Sequence, residues 1–169
     1  ADATALNDLN ALADIKSFAN LATITEAFDT VNLITEITAA LAIVPNAAVT
    51  VTGGAISAAD VNTIANATSG VVTATIDPTT VITDATVTAL GNVELTDVIT
   101  LNSTVTTADA TAITALNALA DIKSFANVAT ITEDAAQIGA NGAVVVAALE
   151  LTTNAAATIT GAISAVSVN

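Results

Sequence analysis

Threonine recurs in pairs separated by one residue, and this is the most regular polar pattern in the chain. Side chains alternate between the two faces of a β-strand, so the two threonines of a pair point to the same side. Aliphatic residues lie between or beside them, and we expect those to face inward and the threonines to face solvent. The pairs that close a predicted repeat unit are Thr23/Thr25, Thr50/Thr52, Thr104/Thr106, Thr130/Thr132 and Thr158/Thr160.

Two outward columns of threonine on a flat parallel sheet resemble the ice-binding faces of β-solenoid antifreeze proteins. In those proteins regularly spaced methyl and hydroxyl groups order surface water. Threonine is also a good strand former, and an exposed sheet favours it without any ligand. One segment breaks the pattern with Thr80-Val81-Ile82-Thr83. We therefore expect a structural role for the threonines and keep ice binding as the alternative function.

The acidic residues form the second set that could bind a ligand. Calcium prefers carboxylate and carbonyl oxygens, but the chain has neither an EF-hand loop nor a glycine-aspartate nonapeptide. Aspartate at a helix start is more simply a cap that complements the helix dipole. We expect no cofactor, with Ca²⁺ bound loosely at most. The residues in question are Asp2, Asp84 and Asp109 at predicted helix starts, and Asp14, Asp97 and Asp121 before predicted strands.

Composition argues against catalysis and against nucleic acid. The chain has no His, Cys, Tyr or Arg, so acid–base chemistry would depend on Asp, Glu or two lysines. No serine lies in a nucleophile elbow, and Gly53-Gly54 lacks a phosphate-loop context. The net charge of −14 disfavours nucleic acid and anionic membranes. We predict that the protein is not an enzyme.

A long internal repeat organises the chain. Residues 11–20 recur without change as residues 118–127, an offset of 107, and 21 of the 25 positions in 2–26 match 109–133. The two lysines, Lys16 and Lys123, are copies of one repeat position. Perfect copying could mark a binding loop, but recent duplication and a salt bridge to a nearby aspartate explain it more simply.

Shorter units lie within the repeat, each with a helical stretch, a short strand, a corner containing Asn or Asp, and a second short strand. In the second unit these are residues 29–40, 42–44, Pro45-Asn46 and 49–52. Near-constant spacing of the corners predicts an α/β solenoid, with one coil per unit and two parallel ladders of strands. The units are residues 2–26, 27–56, 57–83, 84–107, 108–133, 134–163 and a partial unit 164–169.

Stacking would give each unit two neighbours and a continuous core of small aliphatic side chains. The alternation along the second strands places Ala22 and Ile24 inside. By the same argument Val49, Val51, Val105, Ile131, Ala157 and Ile159 point inward, with Ile24, Val51, Ile131 and Ile159 in one column. Ser57 is predicted to cap a helix, with Asp60 three residues on.

The helical phrases at residues 57–64 and 109–117, followed by Thr-rich strands, resemble repeats of giant exoproteins from aquatic bacteria, with cyanobacterial cell-surface and motility proteins as the nearest type. The resemblance implies an extracellular structural segment of a stalk, filament, surface layer or adhesin. Expected partners are further repeats or copies of itself, with surface polysaccharide or ice as other candidates. No apolar run spans a bilayer, and the absence of cysteine is compatible with export. We expect the chain to be part of a longer protein.

Overall fold

The computed structural model describes residues 1–12, 17–77, 81–119, 121–122, 125–138 and 142–162. Within these ranges six helices alternate with short strands. The helices are α1 Ala3–Ala11, α2 Leu33–Ile43, α3 Ala58–Ala67, α4 Asp84–Ala89, α5 Ala110–Leu119 and α6 Ala143–Leu151. The strands are β1 Thr23–Ala27, β2 Ala48–Ile56, β3 Val72–Ile76, β4 Val81–Ile82, β5 Val98–Leu101, β6 Thr107–Asp109, β7 Asp121–Ile122, β8 Thr130–Asp134 and β9 Ala156–Thr160.

The strands form two sheets in which every described pair of neighbours is parallel. The first sheet has the order β1-β2-β3-β5-β7 and the second the order β4-β6-β8-β9. Each helix packs against the next along the chain, from α1 to α6. The protein is therefore an α/β fold with two parallel sheets, and both sheets follow the order of the chain.

The prediction of one column for the inward residues is wrong. Ile24 lies opposite Val49 in the first sheet, whereas Ile131 lies between Ala108 and Ala157 in the second. The strand register of the first sheet changes at β2, where Thr50 pairs with Thr73 but Ala55 already pairs with Thr75. Three additional residues in β2 form this irregularity, so the strand shifts its register against β3 within its own length.

Glycine makes this irregularity sterically accessible. Gly53 has a φ of 80°, in the left-handed region that side chains disfavour. Its counterpart by strand register is Gly161, which directly follows β9 and has a φ of 88°. Each glycine follows a threonine, Thr52 or Thr160, that lies opposite the repeat-equivalent positions Ala27 and Asp134. The same backbone feature therefore comes directly after the last residue that pairs with the preceding strand, inside β2 in one copy and at the end of β9 in the other.

The strand predicted for residues 42–44 is mostly helical instead, because these residues complete α2. In α2 the buried residues Leu33, Ile37, Ala40 and Leu41 recur at helical spacing, so continuing the helix keeps its apolar face in the core. The helix predicted for residues 29–40 therefore begins and ends later than expected.

The inward and outward alternation is confirmed for most predicted core residues. Ile24, Val49, Val51, Val105 and Ile131 are buried. Ala22 and Ala157 are exposed, and Ile159 is half-buried. Ala22 precedes β1, while the other two lie on β9, which has a described strand neighbour on one side only. Ile24 also lies on an edge strand, β1, but it is fully buried, and the backbone of Ala1 pairs with β1 beside it.

Ser57 caps α3 as predicted. Its hydroxyl oxygen accepts from the Asp60 N–H at 3.1 Å, and the hydroxyl donates to Asp60 Oδ2 at 2.7 Å. These bonds satisfy one of the amide donors that a helix start leaves without an intrahelical partner. The Ser57 cap is therefore confirmed, but Asp60 bonds to the Ser57 hydroxyl and not to its backbone N–H, so the reciprocal bond of a capping box is not the one formed.

Candidate functional site

The ten threonines of the candidate surface are divided between the sheets and a turn. All ten are exposed or half-buried, which agrees with their predicted orientation. Four lie on or beside the first sheet, four on the second, and two in the connection between β5 and β6. In that order they are Thr23, Thr25, Thr50 and Thr52; Thr130, Thr132, Thr158 and Thr160; Thr104 and Thr106.

The longest row of threonines across paired strands spans three strands of the first sheet. Thr25 lies opposite Thr50, and Thr50 lies opposite Thr73. Neighbouring strands are about 4.8 Å apart, so the row presents three evenly spaced hydroxyl and methyl groups. Thr73 was missed because it belongs to the predicted first strand of its unit, whereas the candidate surface included only the threonine pairs that close a unit. In the second sheet Thr132 lies opposite Thr158, but Asp109 occupies the next position of that row.

Several of these hydroxyl groups bond to the protein itself. Thr52 Oγ1 donates to the Glu26 carbonyl at 3.3 Å, and Thr160 Oγ1 donates to the Glu133 carbonyl at 3.2 Å. Thr132 Oγ1 donates to the Ala108 carbonyl at 3.4 Å. Each bond joins neighbouring strands of a sheet, so these threonines have a structural role in addition to any surface role.

The helix-start aspartates act as caps. Asp2 accepts from the Ala5 N–H at 2.9 Å at the start of α1, and Asp109 accepts from the Ala112 N–H at 3.0 Å at the start of α5. Asp84 is the exception and its predicted cap role is wrong, because it is the first residue of α4 and Thr83 occupies the N-cap position. The cap interpretation is thus confirmed for Asp2 and Asp109, whose side chains occupy the same position in the two repeat copies.

Asp97 is buried and connects two successive units. One carboxylate oxygen accepts from the Val72 N–H at 2.7 Å, and the other accepts from the Glu94 N–H at 2.8 Å. The first of these bonds spans 25 residues and reaches the start of β3. Asp14, Lys16 and Lys123 lie outside the described residues, as does the side chain of Asp121, so the proposed lysine salt bridge stays a prediction.

Two buried glutamates were not singled out from the sequence, and they are repeat copies of each other. Glu26 Oε2 accepts from the Ala3 N–H at 2.7 Å. Glu133 is only 2% exposed, and its Oε2 accepts from the N–H and hydroxyl of Thr111 at 2.9 and 2.7 Å. Each glutamate therefore ties a strand to the amino-terminal end of the helix that precedes it in the same unit. The favourable end of the helix dipole compensates part of the cost of burying the charge.

The alternation could have identified these glutamates. In the strand Thr23-Ile24-Thr25-Glu26, the glutamate lies two residues after the buried isoleucine and so shares its inward face. The repeat copy has the same order at residues 130–133. The general preference of charged side chains for solvent opposes that inference, and here the helix-end donors override it.

Asp109 lies in an acidic environment at the start of α5. Partial burial raises its pKa above the usual 3.8, and the negative charges of Glu133 and Asp84 add to the increase. The N–H groups of Ala112 and Thr111 act in the opposite direction because they stabilise the carboxylate. Within the described ranges, no group of three or more Asp, Glu, His or Cys side chains is arranged to hold a metal ion.

Two open grooves are lined by residues of the first three units. One, of about 350 Å³, lies beside Phe28, Val31, Ser57 and Asp60. The other, of about 490 Å³, is lined mainly by apolar side chains that include Phe18 and Ile43. In the first groove Asp60 is already bonded to Ser57, and the remaining lining is largely apolar or hydroxyl-bearing. The bond between Ser57 and Asp60 belongs to the start of α3.

Comparisons with protein-family models, curated proteins and solved structures find no match to this chain. The part of the chain that the structure describes includes no helix of the length and apolar character needed to cross a membrane. The geometry of the described fold is therefore the basis for a functional proposal.

Proposed function

We propose that this chain is an extracellular structural repeat segment of a surface, filament or adhesin-type protein. In this proposal it is a non-catalytic α/β solenoid whose coils each contain one helix and one or two strands. Its coils stack end to end with further repeats or with other copies. The mechanical role would come from the sheets, which run along the stack and connect successive coils through backbone hydrogen bonds.

The order of the elements is the observation that carries this proposal. In the first sheet the strands follow chain order as β1, β2, β3, β5 and β7, and in the second as β4, β6, β8 and β9. The helices likewise contact their neighbours in sequence. A stack in which each unit contacts only the preceding and following units is the defining property of repeat proteins.

Charge and surface chemistry fit a solvated, repetitive exterior. A net charge of −14 favours solubility and attracts divalent cations as a diffuse atmosphere. The described carboxylates that are buried already accept backbone or hydroxyl donors. Asp97 therefore joins two successive units, Glu26 and Glu133 each hold a single unit together, and the exposed threonine faces remain available for adhesion.

A designed insertion tests the solenoid directly. Because Ala1 and Ala108 are equivalent repeat positions, an additional copy of residues 1–107 placed before Ala1 preserves the Thr107-Ala-Asp junction. The insertion adds four units, and a solenoid should lengthen by about 19 Å at roughly 4.8 Å per strand with an unchanged cross-section. Small-angle X-ray scattering on both chains measures this. Two separate globules joined by a linker would contradict the proposal.

Ice binding is the alternative proposal, and the row Thr25–Thr50–Thr73 is the observation that favours it. Under this alternative the purified chain shows thermal hysteresis that is lost in Thr50→Tyr, because the new ring interrupts the centre of the row. The matched control is Thr63→Tyr, on the exposed face of α3, which should leave the hysteresis unchanged. Absence of hysteresis in the parent chain would remove this alternative.

A further inference from the structure

Because the chain contains two copies of one sequence, the burial of the copy at the amino-terminal end can be compared with the burial of the internal copy. Residues 2–26 and 109–133 are nearly identical in sequence, and both fold as a helix followed by a strand, α1–β1 and α5–β8. Helix α5 packs between α4 and α6, whereas α1 has only α2 as a described helix neighbour. Differences in burial between the two copies therefore show which surface of α1 is able to accept a further unit.

The same leucines differ sharply in burial between the copies. Leu9 is 45% exposed, but its repeat equivalent Leu116 is fully buried. Leu12 is 58% exposed, while its equivalent Leu119 is half-buried and packs against the core. Ala5 is likewise exposed where its equivalent, Ala112, is buried. We call Ala5, Leu9 and Leu12 the α1 face; it is an apolar surface whose internal copy is covered.

The backbone of Ala1 pairs with β1 in the same way as a parallel neighbouring strand would. The Ala1 amino group donates to the Thr23 carbonyl at 2.8 Å, and the Thr25 N–H donates to the Ala1 carbonyl at 2.7 Å. This is the parallel pairing that Ala108 makes with Ile131 inside the chain. Beyond it, Thr106 accepts from the N–H groups of Ala129 and Thr130. The corresponding donors on the first unit, Ala22 and Thr23, lie at the sheet edge.

The opposite end of the chain presents a matching surface. By strand register, Ala157 and Ile159 of β9 correspond to Val49 and Val51 of β2. Val49 and Val51 are buried, whereas Ala157 is exposed and Ile159 half-buried. Strand β9 pairs with β8, and no described strand lies on its other side. Both ends of the described part of the chain are therefore apolar, and neither has a further unit stacked on it among the described residues.

We propose that the α1 face binds the α6–β9 end of a second copy of this chain, in a head-to-tail contact. This inference rests on the proposed function, because it requires the units to stack. A head-to-tail contact joins two different surfaces and therefore propagates into a linear assembly. A second copy is favoured as the occupant because each end is covered, in its internal equivalent, by another unit of this same chain.

Charge sets the conditions for this contact. Asp2 and Asp8 are exposed near the α1 face, and Glu150 is exposed on α6. With a net charge of −14 per chain, two copies repel each other at low ionic strength. Salt screens that repulsion, with a Debye length of about 8 Å near physiological ionic strength. Association should therefore strengthen as salt is added.

Sedimentation velocity over a concentration series tests the contact with one variant and one matched control. Leu9→Lys removes the most central apolar group of the α1 face and should raise the concentration for half-association at least roughly tenfold. Leu95→Lys alters a leucine that is 68% exposed elsewhere and should associate like the parent. Circular dichroism confirms that both variants are folded. Equal association of Leu9→Lys and parent, including a parent that stays monomeric, overturns the inference.

Cross-linking tests the head-to-tail direction. The chain contains no cysteine, so Ala5→Cys and Ala157→Cys each supply one thiol for a short bis-maleimide. A mixture of the two variants should give heterodimers, and Ala5→Cys alone should not cross-link. Cross-linking of Ala5→Cys with itself would show a head-to-head contact and overturn the proposal. If the 107-residue insertion lengthens the rod but the parent chain stays monomeric, the head-to-tail contact is refuted and the solenoid proposal is retained.

Discussion

The two copies of one leucine allow the same substitution to be compared in two environments. Leu9 and Leu116 occupy equivalent positions of α1 and α5, but Leu9 is 45% exposed and Leu116 is fully buried. We predict that Leu116→Ala destabilises the folded chain far more than Leu9→Ala. The helix propensity change is the same in both variants, so the difference isolates burial.

The magnitudes follow from that burial. Replacing a fully buried leucine by alanine costs about 2–5 kcal/mol, because a cavity remains in addition to the lost transfer free energy. Leu9 has only about half its surface to lose and leaves no enclosed cavity, so Leu9→Ala should cost less than about 1 kcal/mol. The expected difference in the free energy of unfolding is therefore about 2 kcal/mol or more.

Urea denaturation followed by far-ultraviolet circular dichroism measures both variants, since the chain has no Trp or Tyr. The chains are kept dilute so that association at the α1 face does not protect Leu9. Equal destabilisation by the two substitutions would refute the assignment of Leu9 to an uncovered face. It would equally refute the use of α5 as the covered equivalent of α1.

Three further predictions concern polar and backbone features. Glu133→Gln should destabilise the chain by about 1–3 kcal/mol, because an amide group replaces a carboxylate that accepts three hydrogen bonds. Glu26 accepts two hydrogen bonds, so Glu26→Gln should cost less in the same urea assay. The raised pKa of Asp109 means that the folded chain binds this proton more tightly than the unfolded chain, so stability falls as pH rises above about 3.8 through the raised pKa. Asp109→Asn, which retains a capping side chain, should remove that part of the pH dependence of the urea midpoint, and an unchanged profile would contradict it. Gly53→Ala should cost about 1–2 kcal/mol through its positive φ, whereas Gly91→Ala, whose added methyl meets only the Thr88 carbonyl at 3.6 Å, should leave the melting temperature nearly unchanged.

Local pattern predicted much of the fold. Alternation placed Ile24, Val49 and Ile131 inside, and they are buried. The Ser57 cap and the parallel arrangement of successive strands also followed from the sequence. These features depend on a few neighbouring residues and on the repeat spacing, which the sequence displays directly.

Features that depend on long-range pairing were not predictable in the same way. The shift of register in β2 depends on how Ala55 pairs with Thr75 across the sheet, although the Gly53-Gly54 pair marks its position. The exposure of Leu9 depends on which unit has a neighbour, and identical sequence gives the opposite result at Leu116. Glu26 and Glu133 are buried because distant helix ends supply donors.

Cross-strand nuclear Overhauser effects in solution test the stacking of successive units most directly. Proximity of the backbone protons of Ile24 and Val49, and of Ile131 and Ala157, is predicted by the parallel pairing of strands about 25 residues apart. Observation of both contacts with parallel-strand geometry is the expected result. Antiparallel contacts, or pairing of these strands with units distant in the chain, would contradict the account.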